Sequence, residues 1–128
     1  VNGPNFEKNF ACVAKFMDER LQMELPFPDE GFCQATNLDR YWFMREEVEE
    51  YRLAVQSDNP AEVLDALVDL YYFLLGTMLV HNIRPLTFSR AFQRVHEANM
   101  SKTSGKKFDR YVEGPDVTGS GPNLEDLV

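Results

Sequence analysis

The chain has 128 residues, 44% hydrophobic and 27% charged, the ordinary balance of a globular domain long enough to bury a core. Its formal net charge of −8 argues against a nucleic-acid polymer as partner, while a small phosphate ligand needs only a local cation or a bound metal. The two cysteines, Cys12 and Cys33, are too few for a disulfide scaffold and lack zinc-type spacing, so a reduced, cytoplasmic setting is expected.

The opening residues VNGPNFEKNF show no basic region followed by an apolar run and do not read as a signal peptide. From about Asn5 to Leu25, Phe6, Phe10, Val13, Met17 and Leu21 recur at helical spacing. Pro26 and Pro28 close that helix, because each proline disfavours helical geometry in the residue before it. A second helix is expected over Asn37–Gln56, capped by Thr36 or Asn37, with Asp39 in its first turn. Its middle holds Glu46, Glu47, Glu49 and Glu50; taking Glu46 as zero, Glu50 falls near 40° and Glu47 near 100°, so three of the four share a face.

Ser57-Asp58-Asn59-Pro60 reads as a turn, with Asn59 as N-cap and Pro60 at the first helical position. Glu62 suits the return partner of a capping box, and equally a ligand role beside the acids that follow. The third helix, from Pro60 to about Val80, is apolar from Val63 onward apart from Asp65 and Asp69. Two aspartates at about 2.5–3.5 kcal/mol each oppose membrane insertion, so this stretch is expected to be a buried core helix. They lie about 40° apart on one face, and a buried carboxylate needs a partner, a metal or a proton. Asn82 and Pro85 end the helix. A fourth helix runs from about Leu86 to Met100 with Phe88, Ala91, Phe92 and Val95 as its buried stripe, continued by Asn99 and Lys102. From Ser101 the chain turns rich in glycine, with Gly105, Gly114, Gly119 and Gly121, and reads as a loop or lid.

Chemistry is expected where EExxE on the second helix meets DxxxD on the third, brought together by an antiparallel turn. Converging carboxylates without histidine or thiol suit Mg²⁺, with Mn²⁺ as the alternative. A di-iron bundle needs Glu-x-x-His motifs, and Met78 and Gln93 stand where those glutamates would precede His81 and His96. No Walker A loop, GxGxxG, GxSxG or HExxH occurs. Lys102, Lys106, Lys107 and Arg110 form a basic cluster, in which Lys102 points inward with Asn99 and suits phosphate. Trp42 can stack on a base or pack in the core.

These residues resemble the MazG-like superfamily of all-α nucleoside triphosphate pyrophosphohydrolases, which includes dimeric dUTPase-like enzymes and phosphoribosyl-ATP pyrophosphohydrolases. The likeness runs from about Arg40 to Lys102 through Glu46-Glu47-Val48-Glu49-Glu50, the stretch DALVDLYYFLLGT and VHEANMSK, and more loosely through GKKF and GPNLEDL. The family pattern places glutamate three residues before Asp69, where this chain has Ala66, with Asp65 one residue earlier. The resemblance implies a MazG-like bundle of four to five helices over residues 1–128, with the helical core at about 5–100 and an irregular tail at 101–128. It implies Glu47, Glu50, Asp65 and Asp69 as Mg²⁺ ligands, with Glu46 and Glu62 as further candidates. Glu46, Glu47 and Lys102 are the implied catalytic residues, and Asn99, Lys102, Lys106 and Trp42 the implied nucleotide contacts. The implied reaction frees pyrophosphate from a nucleoside triphosphate. The long apolar third helix offers more apolar surface than one bundle of this length covers, so a homodimer or a dimer of dimers is expected, and its two aspartates argue against a membrane partner. Phosphoribosyl-ATP or dUTP hydrolysis stands as an alternative, as does a helical module that only binds metal or nucleotide.

Overall fold

The computed structural model describes residues 5–23, 34–102 and 121–128, with side chains from 38 onward in the middle segment. Four α-helices follow in chain order: α1 (Phe6–Glu19), α2 (Gln34–Gln56), α3 (Pro60–Val80) and α4 (Pro85–Met100). A single 3₁₀ turn, Glu125–Leu127, follows them, and no strand occurs among the described residues. The all-α expectation holds. The chain separates into two compact units, residues 1–84 and 85–128.

Local chemistry sets the ends of each helix in the first unit. Asn5 caps α1 by accepting from the Lys8 amide at 2.8 Å. The helix stops at Glu19, short of the expected Leu25, because Gln22 turns left-handed (φ 55) and lets the Met23 amide reach Met17 O at 3.0 Å. Helix α2 starts three residues earlier than expected, so Thr36 and Asn37 lie inside its first turn instead of before it. Asn59 caps α3, accepting from the amides of Ala61 (3.1 Å) and Glu62 (3.3 Å), and Pro60 sits at the first position, where its missing N–H costs no bond. The reciprocal half of the capping box does not close. The Asn59 amide bonds Ala54 O at 3.3 Å instead, and Glu62 accepts only a long bond from Ser57 Oγ at 3.5 Å. Asn82 takes the left-handed conformation (φ 56) that ends α3, as its residue type suggests.

Helix α3 is the centre of the first unit and packs against both α1 and α2. The buried core is small: Val13 and Met17 from α1, Ala54 from α2, and Ala66, Leu75 and Met78 from α3. Aromatic contacts surround it, with Phe16 edge-on to Tyr72 and Phe43 tilted against Phe73. The expectation of a buried core helix is corrected here. Only 22% of the apolar window of α3 is buried, and Leu64, Leu67, Val68, Tyr71 and Leu74 lie exposed. Length and composition alone would also let this helix cross a membrane. Among the described residues of the first unit, α1 and α2 cover only part of its circumference, and its apolar residues run all the way round.

In the second unit, α4 begins at Pro85, one residue before the expected start. None of its residues is buried; Phe92 and Val95 are exposed, so the expected buried stripe is not covered among the described residues. Its described partner is the 3₁₀ turn, held by Arg94, whose Nη1 donates to Asn123 O at 3.1 Å and whose Nη2 donates to Asp126 Oδ2 at 2.8 Å. That fork raises the Arg94 pKa and lowers that of Asp126, each mainly through the hydrogen bond to the other.

Candidate metal centre

The turn at 57–59 folds α3 back along α2 as an antiparallel pair. Register follows from the contacts: Phe43 meets Phe73, and Arg40 meets Phe73 and Thr77. Between that contact and the turn, Glu47 and Glu50 on α2 come opposite Asp69 on α3. One carboxylate oxygen from each of the three lies within 4.8 Å of the other two. Glu47 and Asp69 are partly buried, whereas Glu50 is exposed. This is the meeting of EExxE with the third helix that the spacing predicts.

The electrostatics of the trio are those of anions held too close together. Burial, then a hydrogen bond shared with Glu50, then the charges of Glu50, Asp69 and Glu46 push the Glu47 carboxyl up to about 7. Burial raises Asp69 as well, followed by the charges of Asp65 and Glu50. Glu47 Oε2 is buried and has no hydrogen-bond partner. A buried acceptor left unpaired costs about 1–3 kcal/mol, which a proton, a water or a cation at this oxygen would offset. The residues fit a divalent ion: three hard oxygen donors, no sulfur or imidazole among them, and a free oxygen facing inward.

The other acids stand outside the trio. Asp65 is exposed one helical turn before Asp69 and reaches the site only through its charge. It therefore bears no burial cost, and the two-aspartate problem of the apolar helix reduces to Asp69 alone. Ala66, which stands where the family pattern has glutamate, is buried in the seam. Glu46 is exposed beside Glu47, and Glu62 is exposed at the start of α3. Glu49 is turned away into an exposed ion pair with Arg52, which lowers the Glu49 pKa.

Of the expected nucleotide contacts, Trp42 lies exposed about 140° around α2 from Glu47. It packs edge-on to Tyr41 with the Arg45 guanidinium 5.2 Å from its ring centre. Asn99 and Lys102 stand together at the end of α4, where Lys102 Nζ donates to Asn99 Oδ1 at 3.1 Å. Lys106, Lys107 and Arg110 lie outside the described residues. Arg40 was not singled out by composition or motif. The signal that points to it is spacing: it precedes Glu47 by seven residues, which returns it to the same helix face.

The sequence model of the family described as phosphoribosyl-ATP pyrophosphohydrolase matches residues 13–99, a span that includes α2, α3 and all three acids of the trio. No curated protein and no solved structure matches the chain.

Proposed function

The chain belongs to the phosphoribosyl-ATP pyrophosphohydrolase family, and from that premise we propose that it is a Mg²⁺-dependent nucleoside triphosphate pyrophosphohydrolase. In this reading it opens the anhydride between the α- and β-phosphates and leaves a nucleoside monophosphate and pyrophosphate. The observation that carries the reading is the carboxylate trio, with its unpaired, buried Glu47 Oε2.

Glu47, Glu50 and Asp69 would hold a divalent ion, whose chemistry when bound would be to neutralise phosphate oxygens and lower the pKa of water. Glu46, exposed next to Glu47, accepts the proton of the attacking water as its oxygen joins the α-phosphorus. The bridging oxygen leaves with pyrophosphate. Exposed Asp65, one turn before Asp69, adds a charge to the burial that raises the Asp69 pKa. Lys102, whose Nζ donates to Asn99 Oδ1, is assigned to the phosphates by its resemblance to the family's NMSK segment alone. Trp42 offers an exposed aromatic face to a base.

Self-association belongs to the same reading. Exposed Tyr41, Val48, Tyr51 and Val55 on α2, with Leu64, Leu67, Tyr71 and Leu74 on α3, supply more apolar surface than a monomer ordinarily shows. A second copy covers it, as a dimer or a dimer of dimers, in a cytoplasmic nucleotide pool.

The test is pyrophosphate release with Mg²⁺ across the ribo- and deoxyribonucleoside triphosphates, dUTP and phosphoribosyl-ATP included. Turnover that is lost in Asp69→Asn supports the proposal, and the preferred substrate names the subclass. No turnover with any of them, or unchanged turnover in Asp69→Asn, sinks it.

A further inference from the structure

We infer that Arg40 is a positioning residue: it locks α2 against α3 in the register that brings Glu47 and Glu50 to Asp69, and Gly76 is the seat that admits it. The inference rests on the metal reading of the trio only for its functional consequence.

The seat is built from the backbone and side chains of α3. Arg40 Nη2 donates to Phe73 O at 3.0 Å and Nε donates to Thr77 Oγ1 at 3.2 Å. Thr77 Oγ1 in turn donates to Phe73 O at 2.7 Å, so the guanidinium edge spans two oxygens already tied to each other. The rings of Phe73 and Phe43 lie 5.3 and 5.7 Å from the guanidinium carbon, within cation–π range. Burial lowers the Arg40 pKa, and these contacts offset that cost. At Gly76 a Cβ would stand 2.6 Å from Arg40 Nη2. The glycine is therefore a space for the cation, in the interior of a helix where alanine is otherwise preferred.

The lock acts on the acids through helix geometry. Arg40 and Glu47 are two turns apart on one face of α2, within about 20° of each other. Phe73 follows Asp69 by four residues, one turn further along α3 and about 40° round. A slide or rotation of α2 that parts Glu47 from Asp69 must also draw Arg40 off Phe73 and Thr77. The acids themselves repel and cannot hold the seam. It is held at one end by the Asn59 turn and at the other by Arg40, with the trio between them.

Two measurements test this. The first is thermal unfolding of Arg40→Met, Gly76→Ala and the double variant in full-length protein. Gly76→Ala alone should lower Tm by crowding the guanidinium. In the Arg40→Met background it should raise Tm by about 4 °C, since the next neighbour of the new Cβ is Met17 Sδ at an ordinary 3.6 Å. Additive effects would overturn the lock. The second is Mn²⁺ affinity by electron paramagnetic resonance in Arg40→Lys, which keeps the charge and loses the fork. Affinity, measured well below the Tm of the variant, should fall about tenfold to a hundredfold. Wild-type affinity in both Arg40→Lys and Arg40→Met overturns the positioning role. Wild-type protein that binds no Mn²⁺ refutes the metal reading instead, and the unfolding cycle still decides the lock.

Discussion

Replacing Glu47 by glutamine should stabilise the metal-free protein while abolishing its function. The Glu47 carboxyl titrates near 7 in the folded state against an ordinary value of 4.5. Its folded pKa is raised, so its contribution is fully present below 4.5 and is lost as pH rises through 7, when the proton must leave a site crowded with Glu50, Asp69 and Glu46. The whole shift corresponds to about 3 kcal/mol, and because the carboxylate is only partly covered, solvent screening reduces this to about 1 kcal/mol. Glutamine keeps the hydrogen bond toward Glu50 and carries no charge. Thermal unfolding in chelator, at fixed protein concentration, should therefore show Glu47→Gln about 4 °C above wild type near pH 8 and level with it near pH 4. Excess Mg²⁺ should raise the wild-type Tm and leave the variant unmoved, reversing the order. A variant less stable than wild type at the higher pH in chelator, or a difference that ignores pH, would refute the reasoning.

Three further outcomes are expected. Asn59→Ala removes the acceptor for the Ala61 and Glu62 amides and should cost about 1 kcal/mol by urea unfolding; an unchanged midpoint would remove the cap as a source of stability. Lys102→Ala should lower the rate of pyrophosphate release with the circular dichroism spectrum intact; wild-type kinetics would remove Lys102 from the site. Leu67→Asp places a charge on the exposed apolar face of α3, and sedimentation should show smaller particles than wild type, whereas an unchanged mass would place the interface elsewhere.

Much of this protein is local and therefore legible in the chain. Helical periodicity, the Asn59-Pro60 start of α3 and the left-handed stop at Asn82 depend on residues within a turn of each other. The helical class and the acidic helix pair follow from such patterns, because an antiparallel turn leaves few ways to join two adjacent helices. Two departures have equally local reasons: α1 ends early because Gln22 takes a left-handed conformation that its type does not announce, and the capping box stays open because the Asn59 amide bonds Ala54 O.

The resemblance already pointed to Glu47, Glu50, Asp65 and Asp69, and tertiary structure decided which of them meet. On a helical wheel Glu46, Glu50, Asp65 and Asp69 are as good a set as any, yet packing joins Glu47, Glu50 and Asp69 and leaves Asp65 and Glu46 exposed. The wheel gives angles within one helix, but the rotation of each helix about its own axis is set by what packs across the seam. Here those contacts are Ala54 and Ala66 in the core and Arg40 seated at Gly76, none of which carries a motif. The apolar length of α3 was also plain from composition. Which of its residues face outward is set by the packing of α1 and α2 against it, since a hydrophobic residue specifies burial without specifying what buries it.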